Sequence, residues 1–282
     1  MNARRITEFF IEAAIFLAGT LSILFVILIF IFLLKEGLSL FKTTSLWDFL
    51  TRKDWYPISY PPRFGLLPLI LGSVGVTVGA IAISVPLSAS CAIYIAEVAP
   101  RWLRDLLKAG VEFLAAIPSV VLGFIGLTVL VPFVQTVFNL PTGLTALSGS
   151  LMLGFMAVPT IVSITEDALT NVPRSYREGA LALGATEWQT IWRVLLPAAS
   201  PGLVAAVMLG IGRVIGETMA VMMITGNAAQ IPSSFLQPVR TMTATIAAEM
   251  GEAVQGSDHY FALFSIGIVL FTITFFINLA AD

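Results

Sequence analysis

The stretch "REGALALGATEWQTIWRVLLP", residues 177–197, decides how the rest of the chain is read. It is a charged, amphipathic passage set between two long apolar runs. From Trp188 the apolar residues recur at Ile191, Trp192 and Leu195, spacings of three and four that fall on one helical face. Glu187, Gln189 and Arg193 lie elsewhere around the axis. Pro173 precedes the passage, Pro197 ends it, and Gly184 sits at its middle, where glycine costs about 1 kcal/mol relative to alanine. That punctuation predicts two short helices joined by a bend. Periodicity alone leaves two readings open: a knob that docks onto something outside the bilayer, or a helix lying on lipid headgroups.

The surroundings set the frame. Of 282 residues, 57% are hydrophobic and 11% charged, with a net charge of -2. A soluble domain carries roughly 25% charged residues, so membrane lipid is the expected solvent and nucleic acid is excluded as a partner. The lone Cys91 forbids an intrachain disulfide and reads as a small buried hydrophobe. Six stretches reach the ~20 apolar residues that span a bilayer: 9–34, 66–95, 110–138, 144–169, 199–225 and 260–280. The first has no small-residue cleavage site and reads as a permanent span. Pro86 is a kink position in the second, and Pro118 and Pro132 interrupt the third. Gly75 with Gly79, and Gly212 with Gly216, have the four-residue spacing that lets helix backbones approach. The fold expected is all-α and integral to the membrane, with six transmembrane helices. Residues 1–59 form a first helix and outer loop, and residues 60–282 the core.

Basic residues in short loops set the orientation. With the N-terminus in the cytoplasm, the inside holds Arg4 and Arg5, then Arg101, Arg104 and Lys108, then Arg174, Arg177 and Arg193. The outer loop 226–259 holds Arg240 against Glu249, Glu252 and Asp258, while the first outer loop is mixed in charge. Residues 177–197 are then cytoplasmic. Arg240 reads as a solvated loop charge, and Trp47, Trp55 and Tyr56 as an interfacial aromatic belt.

Catalytic chemistry finds no support. One histidine, His259, and scattered acids make neither a metal site nor a nucleophile–base pair. None of the four lysines (Lys35, Lys42, Lys53, Lys108) stands in a glycine-rich phosphate loop. ATP-driven work must therefore come from another subunit. The second unusual passage is "GIGRVIGETMAVMMITGN", residues 210–227, which sets Arg213 and Glu217 inside the fifth span, four positions apart. That spacing makes them neighbours on one helical face. Two readings stand: an ion pair that registers the bundle, or a guanidinium that grips an oxyanion in transit by two parallel hydrogen bonds.

Glu178-Gly179-Ala180, three residues, Gly184, nine residues, then Val194-Leu195-Leu196-Pro197 resembles the EAA loop of ABC-importer permeases. That pattern is Glu-Ala-Ala, three residues, Gly, nine residues, Ile, any residue, Leu-Pro, from which Gly179 and Val194 are small departures. The resemblance implies a type I ABC importer permease fold, with residues 174–198 as a coupling loop. Its coupling residues would be Glu178, Gly179, Ala180, Gly184 and Pro197. "PPRFGLLPLILGS" (61–73), "AIPSVVLGFIGL" (116–127) and "RVIGETMAVMMITGN" (213–227) are similar to the PstC-type permeases of phosphate importers. Over roughly residues 60–280 that likeness implies import of inorganic phosphate across the bacterial plasma (inner) membrane, with Arg213 and Glu217 on the substrate path. It also implies a paralogous PstA-like permease subunit, a PstB-like ATPase dimer carrying ATP and Mg, and a periplasmic or surface PstS-like phosphate-binding protein. No cofactor is expected in this chain. The alternatives are a permease for another oxyanion (sulfate, molybdate) and an ATP-independent channel or scaffold.

Overall fold

The structure, a computed structural model, describes residues 3–281, with side chains from Ile11 to Ala280; the Arg4 and Arg5 side chains used for orientation lie outside the described residues. In chain order the helices begin with α1 (Ala3–Gly37), α2 (Leu46–Thr51), α3 (Leu67–Ile93), α4 (Arg101–Ala116) and α5 (Ser119–Ile125). Next come α6 (Val131–Val137), α7 (Ala146–Thr170), α8 (Arg174–Ala182), α9 (Glu187–Thr190) and α10 (Leu196–Ala198). The last are α11 (Ser200–Gly216), α12 (Met219–Ile224), α13 (Met242–Glu249) and α14 (Asp258–Ala281). A two-residue antiparallel ribbon, β1 (Trp55–Tyr56) with β2 (Arg63–Phe64), closes the first loop.

Helix α1, the extended α3, the run Ser119–Val137, α7 and α14 are long and apolar enough to cross a bilayer. Helix α11 completes six when taken as one bent span with Glu187–Ala198, which meets it at 69°. Two boundaries differ from the sequence expectation. The third span starts at Ser119, because Pro118 ends the helical backbone and leaves residues 110–116 in α4. The fifth ends at Gly216 rather than running to 225.

The prolines are absorbed in a common way. Proline lacks an N–H and its ring collides with the carbonyl four residues back. Before Pro100, Pro132 and Pro197 the helix widens, so that Ala99, Val131 and Leu196 donate five residues back, to Tyr94, Gly126 and Ile191. Such wide turns relieve the clash; the helix continues through Pro132 and Pro197 and ends at Ala99 before Pro100. Helix α3 runs through Pro86 unbroken.

The core sits between α3 and α7. Val76, Ala80, Leu153, Met156, Ala157 and Ile161 are buried there with Ala206, Val214 and Ile224. Small residues permit the approach: a Cβ on Gly79 would overlap Ser150, and one on Gly154 would lie 3.1 Å from the Ala80 carbonyl. Ser150 Oγ donates to Val76 O at 3.1 Å, a bond of a type worth about 0.6 kcal/mol between membrane helices. The other glycine pair behaves differently. Gly216 has nothing within 4 Å and Gly212 only Asn278 Oδ1, at 3.8 Å. Among the described residues, Gly212 touches only α14 and Gly216 packs against no helix.

Helix α1 is exposed along Ile11–Phe32. Each such large apolar side chain left in water would forgo about 1.5–3 kcal/mol, so lipid or another subunit must cover it. It packs along α14 through the stacked rings of Phe30 and Phe271, 4.7 Å apart, and Ser265 Oγ donates to Gly37 O at 2.8 Å.

Candidate functional site

The spacing of Arg213 and Glu217 does not make them neighbours. Helix α11 stops at Gly216, and Glu217 is extended, at φ -70° and ψ 131°. Three contacts hold the break. Glu217 Oε1 accepts from the Ala220 N–H at 3.3 Å, at the start of α12. Thr243 Oγ1, from α13, donates to the Glu217 carbonyl at 2.9 Å. The Glu217 N–H reaches Val214 O at 3.3 Å. Glycine at 216 lowers the resistance to such a break, and the caps satisfy groups that a helix end orphans. The intrahelical ion pair is therefore not formed.

Arg213 is exposed on the last turn of α11, and its Nη1 donates to Thr160 Oγ1 of α7 at 3.1 Å. Among the described residues no carboxylate lies within 4 Å of it. Thr160 is ten residues from the end of α7, about 15 Å at 1.5 Å per residue, which places the pair near mid-bilayer. A guanidinium there costs roughly 2.5–3.5 kcal/mol to insert and normally faces a bundle interior or a pathway. The exposed Gly216, with no described residue within 4 Å, leaves the surface beside it open.

Residues 174–198 lie at the end of the bundle shared by the C-termini of α3 and α7. The passage is two helices joined at Gly184, whose φ is 84°. The Gly184 N–H donates to Leu181 O at 2.9 Å and the Ala185 N–H to Ala180 O at 3.1 Å, the paired bonds of a left-handed helix end that favours glycine. Thr186 and Gln189 then cap α9 reciprocally. The single apolar face expected from Trp188 to Leu195 divides instead. The widened turn before Pro197 directs Ile191 and Leu195 into a cluster with Ile93, Leu169 and Ala199. Trp188 and Trp192 remain outside, ring against ring at 5.7 Å.

Of the expected coupling residues, Glu178 and Gly179 are exposed, Ala180 is half-buried, and Pro197 is exposed at the exit turn. Beside them is a cavity of about 400 Å³, lined by Glu97, Arg104, Arg174, Arg177 and Glu178 among others. Arg177 Nη1 donates to Glu97 at 2.8 Å and Nη2 to Glu187 at 2.7 Å. The Glu187 hydrogen bond, then the charges of both carboxylates, hold its pKa above the ordinary arginine value against the opposing effect of burial.

At the opposite end the sequence reading needs two corrections. Arg240 is not a solvated charge: it is half-buried, donates from Nε to Asn227 O at 2.9 Å, and pairs with Glu249. Trp55 is no belt residue: it is 2% exposed and its indole N–H bonds Glu249 at 3.1 Å. His259 Nε2 lies 2.9 Å from the same carboxylate. Glu249 thus gathers three elements around one acceptor, which fixes the first loop onto the start of α14.

Local pattern missed four side chains. Glu166 on α7 is 2% exposed and Lys108 Nζ of α4 approaches it to 2.7 Å; Glu97, Thr160 and Glu249 complete the set. Glu97 carried a usable signal, a lone acid at the end of an apolar run, and Glu166 another, as part of an acidic pair with Asp167 within one. Thr160 and Glu249 carried none.

Residues 84–282 match the family described as binding-protein-dependent transport system inner membrane component. The chain is 44% identical over 247 residues to the probable ABC transporter permease protein YqgH of Bacillus subtilis (strain 168), covering 87% of this chain and 80% of that one. It is 37% identical to the phosphate transport system permease protein PstC of Mesorhizobium japonicum, covering 96% and 89%. Among solved structures, it superposes on a chain of a bacterial alginate ABC transporter, in complex with an alginate pentasaccharide-bound periplasmic protein. The TM-score is 0.65 at 15% identity, over 99% of this chain and 95% of that one. A chain of the inward-facing MetNI methionine ABC transporter gives 0.60 at 20% identity, over 77% and 94%. At those identities the superpositions speak for the fold alone.

Proposed function

This chain belongs to the family of binding-protein-dependent transport system inner membrane components, and we propose that it is the permease subunit of an ATP-driven importer of inorganic phosphate. The observation that carries the proposal is Arg213, a cation near mid-bilayer with no carboxylate partner among the described residues, steadied by Thr160 and exposed on one side. A satisfied ion pair would have left no reason for an anion to visit. An arginine anchored at one nitrogen keeps further N–H donors for a tetrahedral oxyanion. Glu217 lines the same break, and its carboxylate offers an acceptor that hydrogen phosphate, which carries a proton, can use; fully ionised sulfate and molybdate cannot. The likeness to named phosphate permeases supports the same choice.

In this reading the uncovered face beside Gly212 and Gly216 meets a paralogous PstA-like subunit, which supplies the other half of the path. The N-terminus lies in the cytoplasm of a bacterial inner membrane. Residues 174–198, through Glu178, Gly179, Ala180, Gly184 and Pro197, dock on a PstB-like ATPase dimer that holds ATP and Mg. A PstS-like phosphate-binding protein delivers the anion on the other side. Nucleotide binding must favour one arrangement of the spans over the other, since equal affinity for both would move nothing.

The test is uptake of labelled phosphate by vesicles containing the whole reconstituted complex, with unlabelled sulfate or molybdate as competitors. Phosphate should be taken up with ATP and resist competition. Preferred uptake of sulfate or molybdate transfers the site to another oxyanion, and uptake without ATP overturns the importer reading.

A further inference from the structure

Arg177 is absent from the coupling residues named above, yet it joins three elements. Its two terminal nitrogens bond two different carboxylates: Glu97, on the wide turn that ends the α3 span, and Glu187, at the start of α9. The setting gives that bridge its importance. Helix α8 buries none of its side chains, and Leu183 at the bend is 91% exposed. Apolar packing therefore does not fix how α8 sits on the bundle. We propose that the Glu97–Arg177–Glu187 bridge is the positioning clamp that passes movement of the α8–α9 passage into the α3 span. The proposal rests on the coupling reading and adds a named linkage to it.

The two halves of the clamp are unequal. The Glu97 side chain is 7% exposed and Glu187 63%. An exposed pair is screened and weak, whereas a buried charge stripped of its partner is strongly unfavourable. Glu97 is therefore the firm attachment and Glu187 the yielding one. A planar fork can hold two carboxylates in fixed directions; the point charge of lysine cannot. The cavity lined by Arg104, Arg174 and Glu178 on the flank of Arg177 leaves space for the clamp to swing.

The experiment uses the complete complex in vesicles and records three quantities: ATPase subunits retained on purification, ATP turnover, and phosphate imported per ATP hydrolysed. Arg177→Met should retain the ATPase but lower phosphate per ATP by about tenfold, inside the 5- to 150-fold range of typical coupling energies. Glu97→Gln should match it, while Glu187→Gln should change the ratio by less than about threefold. Arg177→Lys should recover only part. The inverted chain carrying Glu97→Arg, Arg177→Glu and Glu187→Arg together should restore the ratio to within about threefold of the original.

An unchanged ratio in both Arg177→Met and Glu97→Gln overturns the clamp. So does loss of assembly in Arg177→Met if Glu97→Gln assembles and couples normally, for Arg177 would then serve stability alone. If the unaltered chain retains no ATPase, the docking reading itself is wrong. Failure of Arg213 substitutions would touch only the substrate path.

Discussion

Replacing Arg213 with lysine separates the charge of this side chain from the geometry of its grip. Nη1 is committed to Thr160 Oγ1 at 3.1 Å, which leaves the other N–H groups of the fork as further donors. Lysine keeps a positive charge at that depth but cannot hold Thr160 and still offer two parallel donors to one anion. One charge-assisted hydrogen bond is worth about 1.5–3 kcal/mol, which converts to about 10- to 150-fold in uptake efficiency at 1.4 kcal/mol per decade. Alanine removes the charge as well, and its loss should be larger. The kinetic form carries further information. A grip made only in passage lowers the maximal rate, whereas one made equally in every state raises KM and leaves the maximal rate alone. The assay is initial uptake of labelled phosphate against concentration in reconstituted vesicles, with ATP turnover read in the same preparation. Uptake within about twofold of the original in both variants, with ATPase subunits retained, would refute the role of Arg213 as an anion ligand.

Three further outcomes follow from named contacts. Gly184 has φ 84° and open space around it, so a side chain there meets strain and no clash; Gly184→Val should lose about 1–2 kcal/mol and lower ATPase recovery, while Gly184→Asn, which tolerates that backbone, keeps it. Equal recovery from both would count against the bend as the cause. Gly79→Val drives a branched side chain into Ser150 and should destabilise the α3–α7 pair by about 1–3 kcal/mol, whereas Gly75→Ala, with nothing within 4 Å, should leave the thermal midpoint in detergent unmoved. The hydrogen bond from Lys108 to Glu166, ahead of burial that opposes it, raises the Lys108 pKa above its ordinary 10.5. A raised lysine contributes fully below its unfolded value and loses that contribution as pH climbs through its folded value. The midpoint difference between the original chain and Lys108→Met should therefore stay level from about pH 7 to 10 and shrink only above that window; a difference that vanished below about pH 9 would disprove the assignment.

Spans and the bend at Gly184 were legible because their causes are local. An apolar run about 20 residues long has one inexpensive environment, and the left-handed turn that ends a helix is least costly at glycine. The break after Gly216 was not legible, since part of its cause lies 26 residues away, where Thr243 takes the Glu217 carbonyl. Still greater separations in sequence hid Arg177 from Glu97, 80 residues apart, and Trp55 from Glu249, 194 apart. Sequence spacing reports neighbours along a helix, whereas charges in a membrane protein are satisfied across helices. That difference explains why the i, i+4 rule paired Arg213 with Glu217 wrongly. A continuous fifth helix would have let the two charges quench each other, as the helical rule demands. The Ala220 cap and the Thr243 bond draw Glu217 off the axis, and the arginine is left without a carboxylate partner among the described residues. In the proposed path, the departure from local rule is what leaves the arginine open to an anion, in line with the general tendency of local inconsistencies to coincide with function.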